Sequence, residues 1–416
     1  MIVLKSAHPY LLFLALSVSA CGSAVKNSAQ DHASDIKERA LNSVPNPDET
    51  GVTSTYPTNT GGDSISKRPI PVISLHEKNY VENPSDLLED GVFIPLSSSA
   101  EEGYFSSIYQ LLIANDTLIV YDNQNKKILL YDRQGNFLHA INRLGKGPGE
   151  YAGINNIDYQ DHLYILDPAS QQIHRYDLSG NWLKSLKYDP SATGTNFAKS
   201  RHAYLFYRNS IEWATQGKGH NFASFSTTNF AFIDSASYIV KELARRGLYT
   251  TNPFAKHKNN VYALPPFEDF IYQMGENGQI DTAFAIDVPE GSRLTDEPDW
   301  YNTSIKNLEF MTASNKFQCI YFYGSLSVTD QHLFFGFRKN QNHHYCLYNK
   351  KTGKTIYFES KGLLMEKDVS LFLLAAQGDE FYFQMHAKER ATLSAFVGEE
   401  LGEDVNAVLY KVQFKK

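Results

Sequence analysis

Two stretches of this chain are copies of one another. Leu118–Ile141 reads LIVYDNQNKKILLYDRQGNFLHAI and Leu163–Leu186 reads LYILDPASQQIHRYDLSGNWLKSL. They align without a gap at an offset of 45 residues, with 8 identities in 24. The identities are the punctuation of β structure. Leu118 and Leu163 open a strand, and Asp122 and Asp167 end it, where a short carboxylate accepts backbone N–H groups of a turn. Ile128 and Ile173 lie in a second strand that closes on Tyr131-Asp132 and Tyr176-Asp177. Gly135 and Gly180 supply the positive φ of a tight hairpin, and Leu138 and Leu183 lie in the outgoing strand. With an earlier strand in Gly153–Tyr159, each unit holds four strands in about 45 residues, the spacing of a propeller blade.

Weaker copies follow. Ala203–Arg208 is a strand, and Phe230–Ile233 is read as pairing with Tyr238–Leu243. Val261–Leu264 pairs with Phe270–Met274, and His332–Phe337 with His344–Tyr348; Phe381–Gln384 and Ala407–Phe414 close the chain. Strand openers near 118, 163, 204, 261, 333 and 381 count six blades. The expected fold is an all-β, six-bladed β-propeller of four-stranded blades. An open ring would leave sheet edges exposed, and the last unit lacks a fourth strand. Val92-Phe93-Ile94-Pro95-Leu96 is therefore predicted to join the last blade beside Ala407–Phe414, with Pro95 at an edge where its missing N–H does no harm. An aromatic content of 13%, nearly all Tyr and Phe, favours strands.

The N-terminus has a different character. Lys5 is followed by the short apolar run Tyr10–Val18 and then Val18-Ser19-Ala20-Cys21, small residues of the kind that precede a leader cleavage site. The added cysteine resembles a bacterial lipobox, which implies that residues 1–20 are a leader and that Cys21 becomes a lipidated N-terminus. Gly22, rather than an acidic residue, implies by the same resemblance the outer membrane, on either its periplasmic or its surface face. Residues 21–88, rich in Ser, Asn, Asp, Thr, Gly and Pro, cannot bury enough apolar surface to order themselves and are read as a tether. Residues 89–416 are read as the propeller. Removing the leader, whose only charge is Lys5, takes the formal charge from −7 to −8; an acidic body without a basic block argues against nucleic acid. Cys319 and Cys346 sit in strand-like segments and are read as buried thiols, a bridge being the other reading.

Between the two clear repeats lies Gly145-Lys146-Gly147-Pro148-Gly149-Glu150-Tyr151. This loop resembles the blade-to-blade loop of NHL-type propellers. With the Phe93-Ile94-Pro95-Leu96 strand and the Tyr-Asp-x-x-Gly turns in the same order, the chain is similar to six-bladed β-propeller lipoproteins of Gram-negative gut anaerobes. The match is specific over residues 92–186. It implies fold and location and no particular chemistry.

The glycine-rich loop fails the test of a phosphate-binding loop, because Gly147 rather than Ser or Thr follows Lys146 and no helix follows. It is read as a tight crossover in which Glu150 and Tyr151 lock one blade to the next. The second reading puts it at the mouth of the central channel, with Arg143, Lys146, Glu150 and Tyr151 as candidate ligand-binding residues. The body histidines, His174 among them, show no metal-ligand spacing; no metal and no cofactor is expected, and no nucleophile elbow is present. Insertions at 289–316 and around Trp213 and Gly217–His220 are read as covers for a blade edge or for the channel. The sequence thus favours a non-enzymatic, lipid-anchored scaffold for a protein, peptide or glycan ligand. The alternative is a hydrolase or lyase with its active site at the channel mouth.

Overall fold

A computed structural model describes residues 69–415 except 90, 99, 189–193, 195, 209–219, 239–252, 267, 293–319, 340–341, 365–368 and 399. Six separate sheets account for the described strands. Blade 1 is β3 (Gln110–Ala114), β4 (Thr117–Asp122), β5 (Lys127–Asp132) and β6 (Phe137–Ile141). Blade 2 is β7 (Asn156–Tyr159), β8 (Leu163–Asp167), β9 (Gln172–Tyr176) and β10 (Trp182–Lys187). Blade 3 holds β11 (Asn196–Lys199), β12 (Ala203–Tyr207), β13 (His220–Ser226) and β14 (Phe232–Tyr238); blade 4 holds β15 (Phe254–His257), β16 (Asn260–Ala263), β17 (Phe270–Met274) and β18 (Ile280–Asp287). Blade 5 runs from β19 (Tyr321–Val328) through β20 (His332–Lys339) and β21 (Asn342–Asn349) to β22 (Thr355–Glu359). Blade 6 has β23 (Val369–Gln377), β24 (Glu380–Ala387) and β25 (Val405–Gln413) and takes its outer strand, β2 (Val92–Ser97), from the N-terminal side. The predicted closure is present in register: Phe93 lies opposite Tyr410 and Pro95 opposite Val408, on the sheet's outer edge.

The blades pack face to face because their strands are apolar on both sides. In β8, Leu163 and Ile165 face blade 1 and join Ile119, Tyr121, Ile128 and Leu130. Tyr164 and Leu166 alternate to the other face and meet Phe197, Tyr204 and Phe206 of blade 3, as a period of two requires. Six such cores lie between successive blades. The innermost strands leave one edge without a ladder partner, and amide side chains serve it. Gln110 on β3 donates to the Ile157 carbonyl (2.7 Å) and accepts the Ile157 N–H (3.1 Å). Asn156 accepts the Phe197 N–H at 2.9 Å. Asp158 accepts the Lys199 N–H (2.7 Å) and pairs with the Lys256 ammonium (3.0 Å), tying blades 2, 3 and 4.

Three readings need correction: the bound of the tether, the four strands of blade 4 and the strands of blade 3. The tether does not extend to residue 88. β1 (Val72–Ser74) adds to blade 4 as a fifth strand, parallel to β18. Tyr80 then bridges to Tyr357, and Leu88 to Phe414, so the folded body begins near residue 70. In blade 3 Phe230–Ile233 does not pair with Tyr238–Leu243: Phe232–Tyr238 is the single strand β14, residues 239–243 lie outside the described residues, and the strand missed in sequence is β13, which pairs with both β12 and β14. Its polar start at His220-Asn221 hid a strand whose apolar part is Phe222–Phe225. The link between β24 and β25 contains a helix, α1 (Arg390–Val397), ended by Gly398 at φ +82°. Cys346 is a buried free thiol. Cys21, Cys319, Trp213 and most of the 289–316 insertion lie outside the described residues.

Candidate active site

The loop after blade 1 is built by hydrogen bonds within itself and to the repeat. Tyr151 is fully buried. Its hydroxyl accepts the Arg143 N–H (3.0 Å) and donates between the carbonyls of Lys126 (2.9 Å) and Ile141 (3.1 Å). Burial pushes this phenol up to about 12, with the Arg143 bond and charge working in the opposite direction. The Glu150 carboxylate accepts the Gly147 N–H at 2.7 Å, and a Cβ on Gly145 would fall on that carboxylate. The concavity that a phosphate would need is thus filled by the loop's own anion. Arg143 contributes its backbone: its carbonyl accepts the Tyr151 N–H at 3.0 Å.

Between this loop and blade 2 lies a cleft of about 550 Å³, within the range of small-molecule sites. Of the four residues singled out in the sequence, Lys146 and Glu150 line it, whereas Arg143 and Tyr151 do not. Gly149 stands against Trp182, whose Cγ would be 2.7 Å from a Cβ placed there, and Gly149 adopts φ +72°.

Trp182, Ser185 and His174 border the cleft and, with the buried Asp167 behind them, form a relay of polar side chains from blade 2. His174 on β9 lies directly across from Ser185 on β10. The His174 Nδ1 is 2.8 Å from the Ser185 Oγ, and its Nε2 is 3.4 Å from the Asp167 Oδ2. Trp182 Nε1–H donates to the Ser185 Oγ at 3.1 Å. One proton arrangement satisfies all three contacts: the indole donates to the serine, the serine to Nδ1, and Nε2–H to the aspartate. The last bond is long, a common state for such relays before substrate arrives.

Asp167 at the end of β8 is fully buried. Burial alone would raise its pKa. Hydrogen bonds from His174, the Ser170 hydroxyl and the N–H groups of Ala152 and Ser170 outweigh this and hold the carboxyl at about 2. It is therefore an anion at neutral pH, placed to steady a positive charge on His174.

The first repeat has none of this chemistry. At the offset of 45, His174 corresponds to Leu129, Ser185 to Ala140 and Trp182 to Phe137. Leu129 and Ala140 face each other across β5 and β6 as His174 and Ser185 do across β9 and β10. A Cβ on Gly103 would come 3.1 Å from the Phe137 Cγ, the counterpart of Gly149 and Trp182. The blade accepts an apolar trio at these positions, so packing does not require the polar one.

A second cleft of about 600 Å³ lies against α1. Its cation, Arg390, is already bonded to the carbonyls of Leu401 (3.2 Å) and Val405 (3.0 Å), and among the described residues no comparable relay borders it. Among the described residues no three His, Cys, Asp or Glu side chains converge as metal ligands.

Comparisons with known proteins bear on the family and the fold. Residues 70–410 match the family described as Domain of unknown function (DUF4934). The chain belongs to the DUF4934 family. No functionally curated protein matches the sequence. Among solved structures, this DUF4934 chain is similar to a protein of Bacteroides fragilis NCTC 9343 described as exported, with a TM-score of 0.63 and 19% identity over 83% of this chain and 100% of that one. It also matches a virginiamycin B lyase from Staphylococcus aureus (TM-score 0.41, 9% identity, 78% of this chain and 99% of that one). A third match is a gluconolactonase from Xanthomonas campestris (TM-score 0.40, 12% identity, 80% and 92%).

The preference for a non-enzymatic scaffold is corrected by the strand register: Ser, His and Asp are scattered in the sequence, and the fold sets Ser185 opposite His174 with Asp167 on the ring's other side. The likeness to the solved structures concerns fold alone, so no activity is carried across. The DUF4934 propeller is a scaffold fit for ligand binding or for catalysis.

His174, Ser185 and Asp167 escaped a reading built on identities between the repeats. In the sequence Asp167 reads as a turn cap, which it also is, and His174 as one histidine among many. The signal lay in the differences: three apolar positions of one repeat become hydrogen-bonding groups in the other.

Proposed function

We propose that the propeller is a hydrolase of the acyl-ester type, with Ser185 as nucleophile and His174 as general base and then general acid. The observation that carries the reading is the relay from Trp182 through Ser185 and His174 to Asp167, the first three at positions where the sister blade is apolar.

In the first step the Ser185 Oγ bonds to the ester carbonyl carbon while its proton passes to His174 Nδ1. The imidazolium faces the Asp167 carboxylate on its other side. The C–O bond to the alcohol breaks, and the departing oxygen takes the proton from His174. A water molecule then gives its proton to His174 and attacks the acyl group, and Ser185 leaves with that proton. The Lys146 ammonium on the cleft wall supports the negative charge that develops on the carbonyl oxygen.

The placement of this reaction follows the lipobox reading of the N-terminus. Cys21 carries the lipid, the chain behind it serves as tether, and the propeller works in the cell envelope at the outer membrane. What supports this is the run ending in Cys21 and the exported description of the Bacteroides fragilis relative.

A serine-directed fluorophosphonate tests the reaction. The full chain should gain one phosphonyl adduct, mapped by peptide mass to Ser185, and His174→Gln should abolish the labelling while the protein stays folded. Absence of an adduct on Ser185, or equal labelling of the His174→Gln variant, would exclude it as an activated nucleophile.

A further inference from the structure

The lining of the cleft also speaks about what the ester carries. We infer that the substrate is an O-acetylated sugar, a reading that rests on the hydrolase assignment and narrows it.

The acyl side must be short. Apart from Trp182, the apolar surface offered by the cleft comes from Pro148, Ala152 and Ala169, beside glycines. Burial is worth about 25 cal/mol per Å², and these small groups present too little area to hold a long chain. The relay itself occupies the depth of the site, with His174 buried beneath the half-buried Ser185.

The alcohol side must be polar and must present an apolar face. Lys146, Glu150, Ser170 and Gln172 set donors and acceptors of both kinds around the opening. One cation and one anion among them favour a neutral partner with many hydroxyls over a singly charged one. Trp182 supplies the remaining element. Its residue is 38% exposed although Gly149 stands against it, and its N–H touches the nucleophile. An indole of this kind takes the C–H face of a sugar ring while its polar edge stays bonded. A ring resting there puts a ring-borne ester next to Ser185. The products are acetate and the free sugar hydroxyl, whose proton comes from His174.

The test compares three esters on the full chain: an acetylated methyl glycoside, a simple alkyl acetate, and the octanoate of the same alkyl alcohol. The account expects kcat/KM for the acetylated glycoside to exceed that for the alkyl acetate by about tenfold or more, and acetate to exceed octanoate by a similar factor. Gln172→Ala should raise KM for the acetylated glycoside by several fold, and an unchanged KM would remove Gln172 from the sugar contact. Equal kcat/KM for the glycoside and the alkyl acetate, or a preference for octanoate, would overturn the sugar assignment while phosphonate labelling of Ser185 kept the hydrolase. No turnover of any ester, together with no labelling, would overturn both.

Discussion

Blade 1 and blade 2 share strand order, turns and hairpins, and three apolar side chains on the outer strand pair of the first are hydrogen-bonding groups in the second. In both, an aspartate at the end of the second strand caps the following turn and receives an N–H from the preceding loop: Asp122 takes that of Ser106 (2.9 Å) and Asp167 that of Ala152 (2.7 Å). In both, Asp132 and Asp177 hold the hairpin by accepting the N–H groups of Asn136 and Asn181. In both, a tyrosine of the third strand donates to the carbonyl of the glycine before the blade, Tyr131 to Gly103 and Tyr176 to Gly149. Against this common frame, Leu129, Phe137 and Ala140 are replaced by His174, Trp182 and Ser185. A scaffold kept constant while one face trades packing for hydrogen bonding is what a grafted site looks like.

The largest effect expected from breaking the contrast is on turnover. His174→Ala should lower kcat for an ester substrate by on the order of 10²–10⁴-fold, the range for loss of a general base, at a stability cost of about 1–3 kcal/mol for the buried ring and its bonds. A rate within a few fold of the parent would remove His174 from the chemistry.

The next effect is on stability, and it tests whether blade 1 is committed to packing. Leu129 is fully buried. Leu129→His alone should cost about 3 kcal/mol by denaturant unfolding, since it loses apolar contact and buries a polar ring without a serine opposite. A cost under about 0.5 kcal/mol would show that either blade tolerates the polar pair and would weaken the argument from contrast.

A third comparison separates the two duties of Asp167. Asp122→Ala and Asp167→Ala should each destabilise by about 1–3 kcal/mol through the N–H groups left unpaired, and only the second should also slow turnover. The Asp167 carboxyl lies below its ordinary value in the fold. Its bonds therefore support the native state above the unfolded carboxyl's range near about 4, and that support is lost as the pH falls toward about 2. Acid unfolding of Asp167→Ala should be correspondingly shallower between these limits.

The smallest effect concerns the shared tyrosines. Tyr131→Phe and Tyr176→Phe should each cost about 1 kcal/mol. Tyr176→Phe should in addition raise KM, because it frees the Gly149 carbonyl in the loop that carries Lys146. Equal KM for both variants would separate loop anchoring from substrate binding.

Much of the architecture was legible because propeller physics writes itself into local sequence. Glycines at φ +90° and +81° in the two hairpins, the capping aspartates and the Pro95 edge strand all follow from backbone needs of adjacent residues. The missed pieces depend on distant partners. β1 is a three-residue strand whose only ladder is with β18, more than two hundred residues away, and nothing local marks it. β13 starts polar because Asn221 bonds to the Ser237 hydroxyl of the neighbouring strand at 2.8 Å. The glycine-rich loop was legible as a blade lock, through Tyr151, and half of its four candidates reach the cleft. The relay was not legible, because a histidine and a serine eleven residues apart mean nothing until the strand register sets them side by side.

The most direct test of the account is to write blade 1 into blade 2 with the double variant His174→Leu/Ser185→Ala. Replacing both partners removes the polar pair together; Asp167 keeps the Ala152 N–H and the Ser170 hydroxyl as donors, and Trp182 is exposed enough for water to accept its N–H. The account predicts a protein whose unfolding free energy stays within about 1 kcal/mol of the parent, or rises, and which neither hydrolyses esters nor binds the phosphonate. Ester hydrolysis at the parent rate in this folded variant would contradict it.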